Sequence, residues 1–346
     1  MPPPVAAAAG GEGGGGCSYC KEVERVPGAI DGRDVVRRPR GGPVTLCVQG
    51  RLAPAVHIIG CMKCGTSTAW YEITERVKQI TYGQVFGGEF WFTKKEKHFF
   101  DRDETYKKKM GWYVKHFPAC PKGGAQPDAR GQVAIDATQG YVKTPSSPGR
   151  ILESYGEAAR KIAFVFFVRN PTDRAWSHYF HKKKCCLGEK TFEQWVDEQL
   201  EACAACRLAR PDAPLWPDCD PKTDDNANAL VTGLYVQQLR HWLRYFAAEQ
   251  FLIVPYAGFV AHPSEAVRAI VGKAGIEFKQ TWEPSAMKRK NAKTPGDQTL
   301  DLALRAKIDD FFAPYNAELR AFLKRHDFEI APDIEKYGID MLAPRL

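Results

Sequence analysis

The sequence predicts an α/β fold, an open parallel sheet with helices on both faces. Three observations predict it. Val56-His57-Ile58-Ile59 is a short apolar run that stops at Gly60 and gives way at once to a helical pattern. Lys161 to Arg169, KIAFVFFVR, is the most apolar run in the chain and reads as a central strand covered on both faces. Further strand-like runs alternate with amphipathic segments to the end of the chain, the texture of repeated strand–helix–strand units.

The elements follow in order. Residues 1–52 are rich in Gly, Pro and Ala and carry no apolar period; Pro2 to Pro4 and Gly13 to Gly16 are low-complexity. This stretch reads as a disordered tail. From Ala53 the texture is globular, without repeats or long linkers, so residues 53–346 read as one domain. Thr66 to Gln79 has Trp70, Ile73 and Val77 at helical spacing. Val133-Ala134-Ile135 is a second short strand. After the central strand, Thr172 is the expected N-cap of a helix from Asp173 to Lys184, acidic early and basic late, as the helix dipole favours. Leu234 to Phe246 places Leu239, Trp242, Leu243 and Phe246 on one face. Phe251 to Val254 is a further strand. Helices over Ser264 to Lys273 and Leu300 to Lys324 close the domain, with Pro314 expected to break the last.

Composition bounds the function. The chain has 346 residues, of which 44% are hydrophobic and 26% charged, and a net charge of +8. Those values exclude collagen-like, coiled-coil and wholly disordered chains and tilt the protein towards anionic ligands. No run approaches ~18 consecutive apolar residues, and the N-terminus lacks a basic region and an apolar core, so neither a membrane span nor a signal peptide is expected. No nucleic-acid-binding motif accompanies the charge, so no nucleic-acid partner is expected.

Two segments carry chemistry. Gly60 to Ser67, GCMKCGTS, joins a strand to a helix. A glycine-bearing loop there presents backbone N–H groups and the positive end of the helix dipole to an anion such as phosphate or sulfate. A nucleoside triphosphate loop has its lysine directly after the second glycine. Here Thr66 follows Gly65, and Lys63 lies inside the loop. The second segment, VRNPTDRAWSH from Val168 to His178, puts Arg169 at the carboxyl end of the central strand and Ser177 in the next helix. That edge of an open α/β sheet binds ligands. Arginine and a hydroxyl there can hold a second phosphate-like group.

KCGTS after one strand and RNPTDRAWSHY after a later one resemble the 5′- and 3′-phosphate-binding elements of sulfotransferases, which use 3′-phosphoadenosine 5′-phosphosulfate (PAPS). KEKHFFD, Lys95 to Asp101, resembles the Glu-x-His-Phe-Phe-Asp stretch of Golgi carbohydrate sulfotransferases, particularly the heparan sulfate glucosaminyl type. GLYVQQLRHWLRYF with FLIVPY, and KRKNAK with FFAPYN, resemble the family's later elements. The resemblance runs in islands from Val56 to Leu323. It implies a P-loop-like three-layer sandwich with a central parallel sheet. It also implies that PAPS is the co-substrate, with no metal, and that the acceptor is a carbohydrate or small hydroxylated molecule. Lys63, Cys64, Gly65, Thr66 and Ser67 would hold the 5′-phosphate, with Lys63 on the bridging oxygen. Arg169 and Ser177 would hold the 3′-phosphate, and Lys288, Arg289 and Asn291 would fold over the nucleotide. Glu96 would be the general base. His98, two residues on in an extended segment, would face the same side and orient Glu96 or the acceptor.

The sequence departs from the family at two places. Ala257 and Gly258 stand where a Glu follows the strand tyrosine. In DATQGY, Asp136 to Tyr141, Ala137 and Gln139 replace a Lys and a Pro. Eight basic residues against four acidic between Lys94 and Lys115 would give either a surface for an acidic glycan or an ordinary solvated face. An ATP-dependent small-molecule kinase and a non-catalytic nucleotide-binding relative are the competing functions. The resemblance implies the Golgi lumen; the lack of a legible anchor leaves the cytoplasm open.

Eleven cysteines remain. Cys61 and Cys64 belong to the anion loop and are expected to need no disulfide. Cys185, Cys186, Cys203, Cys206 and Cys219 fall in a Cys- and Pro-rich insert, residues 185–228, stapled by disulfides in an oxidising compartment or knit by zinc in a reducing one. Cys47, Cys120 and the lone Cys17/Cys20 pair carry no assignment.

Overall fold

The computed structural model describes residues 43–84, 94–120, 133–183, 185–219, 229–288, 299–333 and 340–342. Its core is a seven-stranded sheet. Strand β1 (Leu46–Val48) pairs antiparallel with the start of β2 (Arg51–Gly60). The other strands are β3 (Ile80–Tyr82), β4 (Val133–Asp136), β5 (Ala163–Val168), β6 (Phe251–Pro255) and β7 (Glu329–Ile330), in the order β3-β4-β2-β5-β6-β7, all parallel. The sheet therefore begins ahead of Ala53. Leu46 is buried, and Cys47 is bonded to Cys120 across the same edge.

Strand β5 is buried along its whole length, as a parallel strand between two neighbours and two helical layers must be. Its register pairs Val165 with Ile58 on one side and with Leu252 on the other. Phe164, Phe166 and Phe167 are fully enclosed; burial of each such side chain stabilises by roughly 1.5–3 kcal/mol. The helices α1 (Thr66–Arg76), α4 (Ser147–Tyr155), α5 (Pro171–Lys183), α8 (Tyr235–Trp242), α10 (Pro263–Gly272) and α11 (Leu302–Arg325) supply the flanking layers of a three-layer sandwich. Shorter α2 (Asp103–Tyr106) and α3 (Lys109–Val114) precede β4; α6 (Phe192–Ala209) and α7 (Leu215–Asp218) form the insert after α5; and α9 (Tyr256–Ala261) follows β6 directly.

Three local expectations change. Pro314 does not break α11, which runs unbroken through it. Pro314 and Asp310, whose carbonyl loses its partner, both lie on the exposed face, so water solvates that carbonyl while Ile308, Phe312, Leu319 and Phe322 hold the buried face. Asn170, not Thr172, caps α5: its Oδ1 accepts from the Asp173 N–H at 3.0 Å, and Pro171 opens the helix with no N–H to satisfy. Thr172 instead donates to Asp309 on α11 at 2.5 Å. The cysteines also differ. Cys61 is bonded to Cys64, Cys185 to Cys186 and Cys206 to Cys219, whereas Cys203 is buried in a second core cluster. The anion loop does contain a bridge, because its turn brings the two Cα atoms to 5.4 Å.

The topology fixes where chemistry can occur. From β2 the chain builds β3 and β4 on one side, then crosses to build β5, β6 and β7 on the other. The switch point lies at β2, and the carboxyl ends of β2, β4, β5 and β6 share one edge of the sheet. Among the described residues no helix is long and apolar enough to cross a membrane.

Candidate active site

The loop after β2 turns sharply. Lys63 and Gly65 both have left-handed backbones, φ 70° and 84°. Gly65 is the N-cap of α1, and a Cβ there would stand 2.8 Å from the Tyr256 ring, so both conformation and space demand glycine. Helix α1 opens without an acidic residue in its first turn and without a side-chain cap, so its positive end faces the loop undiminished. Thr66 is buried; Lys63 and Ser67 are half-buried.

Arg169 leaves the tip of β5 and reaches this loop, donating from Nη1 to the Lys63 carbonyl at 2.9 Å. Its guanidinium lies 4.8 Å from the Tyr256 ring centroid. Its own carbonyl accepts from the Tyr235 hydroxyl at 3.0 Å, and that hydroxyl is also 3.5 Å from the Cys61 sulfur. The two anion elements of the sequence are thus one assembly. Ser177 is buried on α5, about 9 Å along the helix from its first residue. The Lys288 N–H donates to Glu72 on α1 at 3.1 Å, which ties the start of the late basic segment to the same helix. Arg289 and Asn291 lie outside the described residues.

KEKHFFD lies beside the N-terminus of α1. Phe99 and Phe100 anchor it in the core, with Phe99 stacked on Tyr113 at 4.7 Å. Lys95 is buried, and its ammonium donates to Thr66 Oγ1 at 3.3 Å and to Glu96 Oε1 at 2.5 Å. Glu96 Oε2 is 3.3 Å from His98 Nε2, and His98 Nδ1 is 2.8 Å from Asp101. A continuous polar chain therefore runs from Thr66 through Lys95, Glu96 and His98 to Asp101.

The charges in this chain reinforce one another. Burial alone would raise the Glu96 pKa, but the Lys95 charge and the hydrogen bonds from His98 and Lys95 outweigh it and hold the carboxyl at about 2. Burial opposes protonation of His98, yet the Asp101 and Glu96 hydrogen bonds raise it to about 9. At neutral pH the site holds a carboxylate clamped between an ammonium and an imidazolium.

Glu96 and His98 do meet, but not through an extended backbone. His98 is left-handed, φ 49°, and this twist turns its ring back onto Glu96. Of the basic run, Lys95 and Lys97 are buried, and Lys97 donates to the Gln84 carbonyl at 2.9 Å. Lys94, Arg102, Lys107, Lys108, Lys109 and Lys115 are the exposed members. Sequence reasoning missed the parts played by Lys95, Asp101, Tyr235 and Tyr256. Asp101 had a signal, three residues from His98 in one motif. The tyrosines had one as well, since Tyr235 and Tyr256 stand in the resembling segments GLYVQQLRHWLRYF and FLIVPY, but nothing in the sequence joins them to Arg169. Among the described residues no cluster of His, Cys, Asp or Glu is arranged to hold a metal.

The family pattern described as the sulfotransferase domain matches residues 53–294, spanning both anion elements and KEKHFFD. The chain belongs to the sulfotransferase family. Human heparan sulfate glucosamine 3-O-sulfotransferase 3A1 is 23% identical over 327 residues, covering 87% of this chain and 68% of that protein. Mouse heparan sulfate glucosamine 3-O-sulfotransferase 5 is 30% identical over 49% of this chain and 41% of its own length. Human carbohydrate sulfotransferase 15 is 28% identical over 47% and 30%. The chain thus spans between about a third and two-thirds of these relatives. The crystal structure of a sulfotransferase from Alicyclobacillus acidocaldarius shares the fold, with a TM-score of 0.55, 22% identity, and 79% of this chain and 96% of that one covered. This sulfotransferase domain is accordingly a P-loop-like α/β sandwich.

Proposed function

We propose that this sulfotransferase moves a sulfuryl group from PAPS to a hydroxyl or amine of a carbohydrate acceptor. The observation that carries the proposal is the polar chain from Thr66 to Asp101, which sets a carboxylate beside the open end of α1. The names of the heparan sulfate and carbohydrate relatives support the acceptor class.

In this reading the N-terminal N–H groups of α1, with Cys64, Gly65 and the Thr66 and Ser67 hydroxyls, hold the 5′-phosphate. Lys63 neutralises charge on the bridging oxygen as it leaves. Arg169 and Ser177 hold the 3′-phosphate. Lys288, Arg289 and Asn291 cover the nucleotide. The acceptor oxygen attacks sulfur in line, the bond from sulfur to the bridging oxygen breaks, and the acceptor proton passes to Glu96. A carboxylate with a pKa of about 2 is a weak base towards a free alcohol. It takes the proton late, once bond formation to sulfur has made that proton acidic. Protonated His98 fixes the Glu96 rotamer and does not compete for the proton. The fold is suited to luminal work: four disulfides join described residues, as expected in an oxidising compartment.

Thermal stabilisation of the full chain by 3′-phosphoadenosine 5′-phosphate, compared with ADP and ATP, tests the nucleotide. The 3′-phosphorylated nucleotide is expected to raise Tm most. Preference for ATP favours the kinase reading instead.

A further inference from the structure

We propose that Thr138, just past the end of β4, is a positioning residue that holds the backbone of KEKHFFD so that Glu96 and His98 converge; the proposal rests on the function above. The Thr138 oxygen accepts from two successive backbone N–H groups, Lys97 at 2.9 Å and His98 at 3.3 Å. Two donors on one oxygen fix the peptide planes on both sides of Lys97. That is where the chain must be held, because His98 has a left-handed backbone that a non-glycine residue adopts only when its surroundings impose it.

Thr138 is itself fixed. Its hydroxyl donates to Asp136 Oδ1 at 2.6 Å, which leaves the oxygen lone pairs for the two N–H groups. Asp136 Oδ1 also accepts from the Thr138 N–H at 3.0 Å. Asp136 Oδ2 accepts from the Tyr113 and Tyr141 hydroxyls, each at 2.7 Å. The buried carboxylate thus meets four donors, and Thr138 is the only one of those three side chains that also grips residues 97 and 98. The Tyr141 hydroxyl accepts from the Phe99 N–H at 3.3 Å, and the Ala137 N–H donates to the Lys95 carbonyl at 2.9 Å. Both flanks of the grip are therefore tied to the same strand end.

The test compares the full chain with Thr138→Val, which keeps the shape and removes the hydroxyl, and with Thr138→Ser, which restores it. The first readout needs no turnover: the His98 imidazole is titrated by NMR. Wild type and Thr138→Ser are expected to titrate near 9, and Thr138→Val at least one unit lower. The second readout is steady-state sulfuryl transfer. Thr138→Val is expected to lower kcat about 10- to 100-fold, with the KM for PAPS and the affinity for 3′-phosphoadenosine 5′-phosphate within about threefold of wild type; Thr138→Ser stays within about threefold throughout. Should Thr138→Val not fold, Thr138→Ala is read in the same way. A hydroxyl-free variant that keeps the wild-type His98 titration, or a Ser variant as impaired as Val, overturns the proposal. If wild type transfers no sulfuryl group at all, the functional reading fails, while the titration still decides the role of Thr138.

Discussion

The Arg169 guanidinium donates to the main-chain carbonyl of Lys63, 106 residues earlier, at 2.9 Å. This bond joins the tips of β2 and β5 across the switch point of the sheet. It makes the loop that would grip one end of a doubly phosphorylated nucleotide and the arginine that would grip the other a single rigid unit.

Arg169→Ala should therefore weaken nucleotide binding more than chemistry. The expected loss in affinity for 3′-phosphoadenosine 5′-phosphate is about 10- to 100-fold by calorimetry, with kcat at saturating donor reduced far less. Lys63→Ala should show the opposite split, a collapse of kcat exceeding any loss in binding.

Glu96→Gln keeps the size of the side chain and removes the base. Transfer should fall by about 100-fold or more, with nucleotide affinity within about threefold. Full activity in this variant would remove Glu96 from the role of base.

The rate should fall at high pH. Glu96 is held at about 2 and stays ionised throughout the neutral range, whereas His98 is held at about 9 and loses its charge above that pH. Activity should then decline through about pH 9, on the order of tenfold, and His98→Asn should remove this limb. Stability follows the same groups. The folded His98 pKa lies above its usual 6.5, so its contribution, about 3 kcal/mol, is fully present below pH 6.5 and is lost as pH rises through 9. The Glu96 pKa lies below its usual 4.5, so its contribution is present above 4.5 and is lost as pH falls towards 2. Denaturant midpoints across pH, in wild type and each variant, measure both.

The Cys47–Cys120 bond closes a loop with a sequence separation of 73. Chain entropy assigns such a crosslink about 4 kcal/mol. Cys47→Ser should lower the denaturant midpoint accordingly and leave nucleotide affinity unchanged. Peptide mapping without reduction should recover the 47–120 pair.

The sheet was legible because a buried parallel strand is nearly pure apolar sequence. KIAFVFFVR is the plainest case, and the four strands read from the sequence overlap β2, β4, β5 and β6. The turn between β2 and α1 was legible because a glycine marks the junction where the backbone must turn left-handed. The short strands β1, β3 and β7 were not, because two or three residues at the margin of a sheet carry too little pattern. Pro314 misled because its cost depends on whether the orphaned carbonyl meets water, which only the packing decides. The clamp on Glu96 was half legible: the motif named Glu96 and His98, but the role of Lys95 depends on Thr66 lying across from it. Thr138 and Tyr235 act through the fold, with partners 40 and 66 residues away in sequence.

The most direct measurement is transfer of radiolabelled sulfate from PAPS by the full chain to a panel of desulfated glycans and small alcohols, run beside Glu96→Gln. Label should appear in a glycan with wild type and be reduced at least about 100-fold with the variant. Transfer only to a non-carbohydrate alcohol, or equal transfer by the two proteins, would contradict the account.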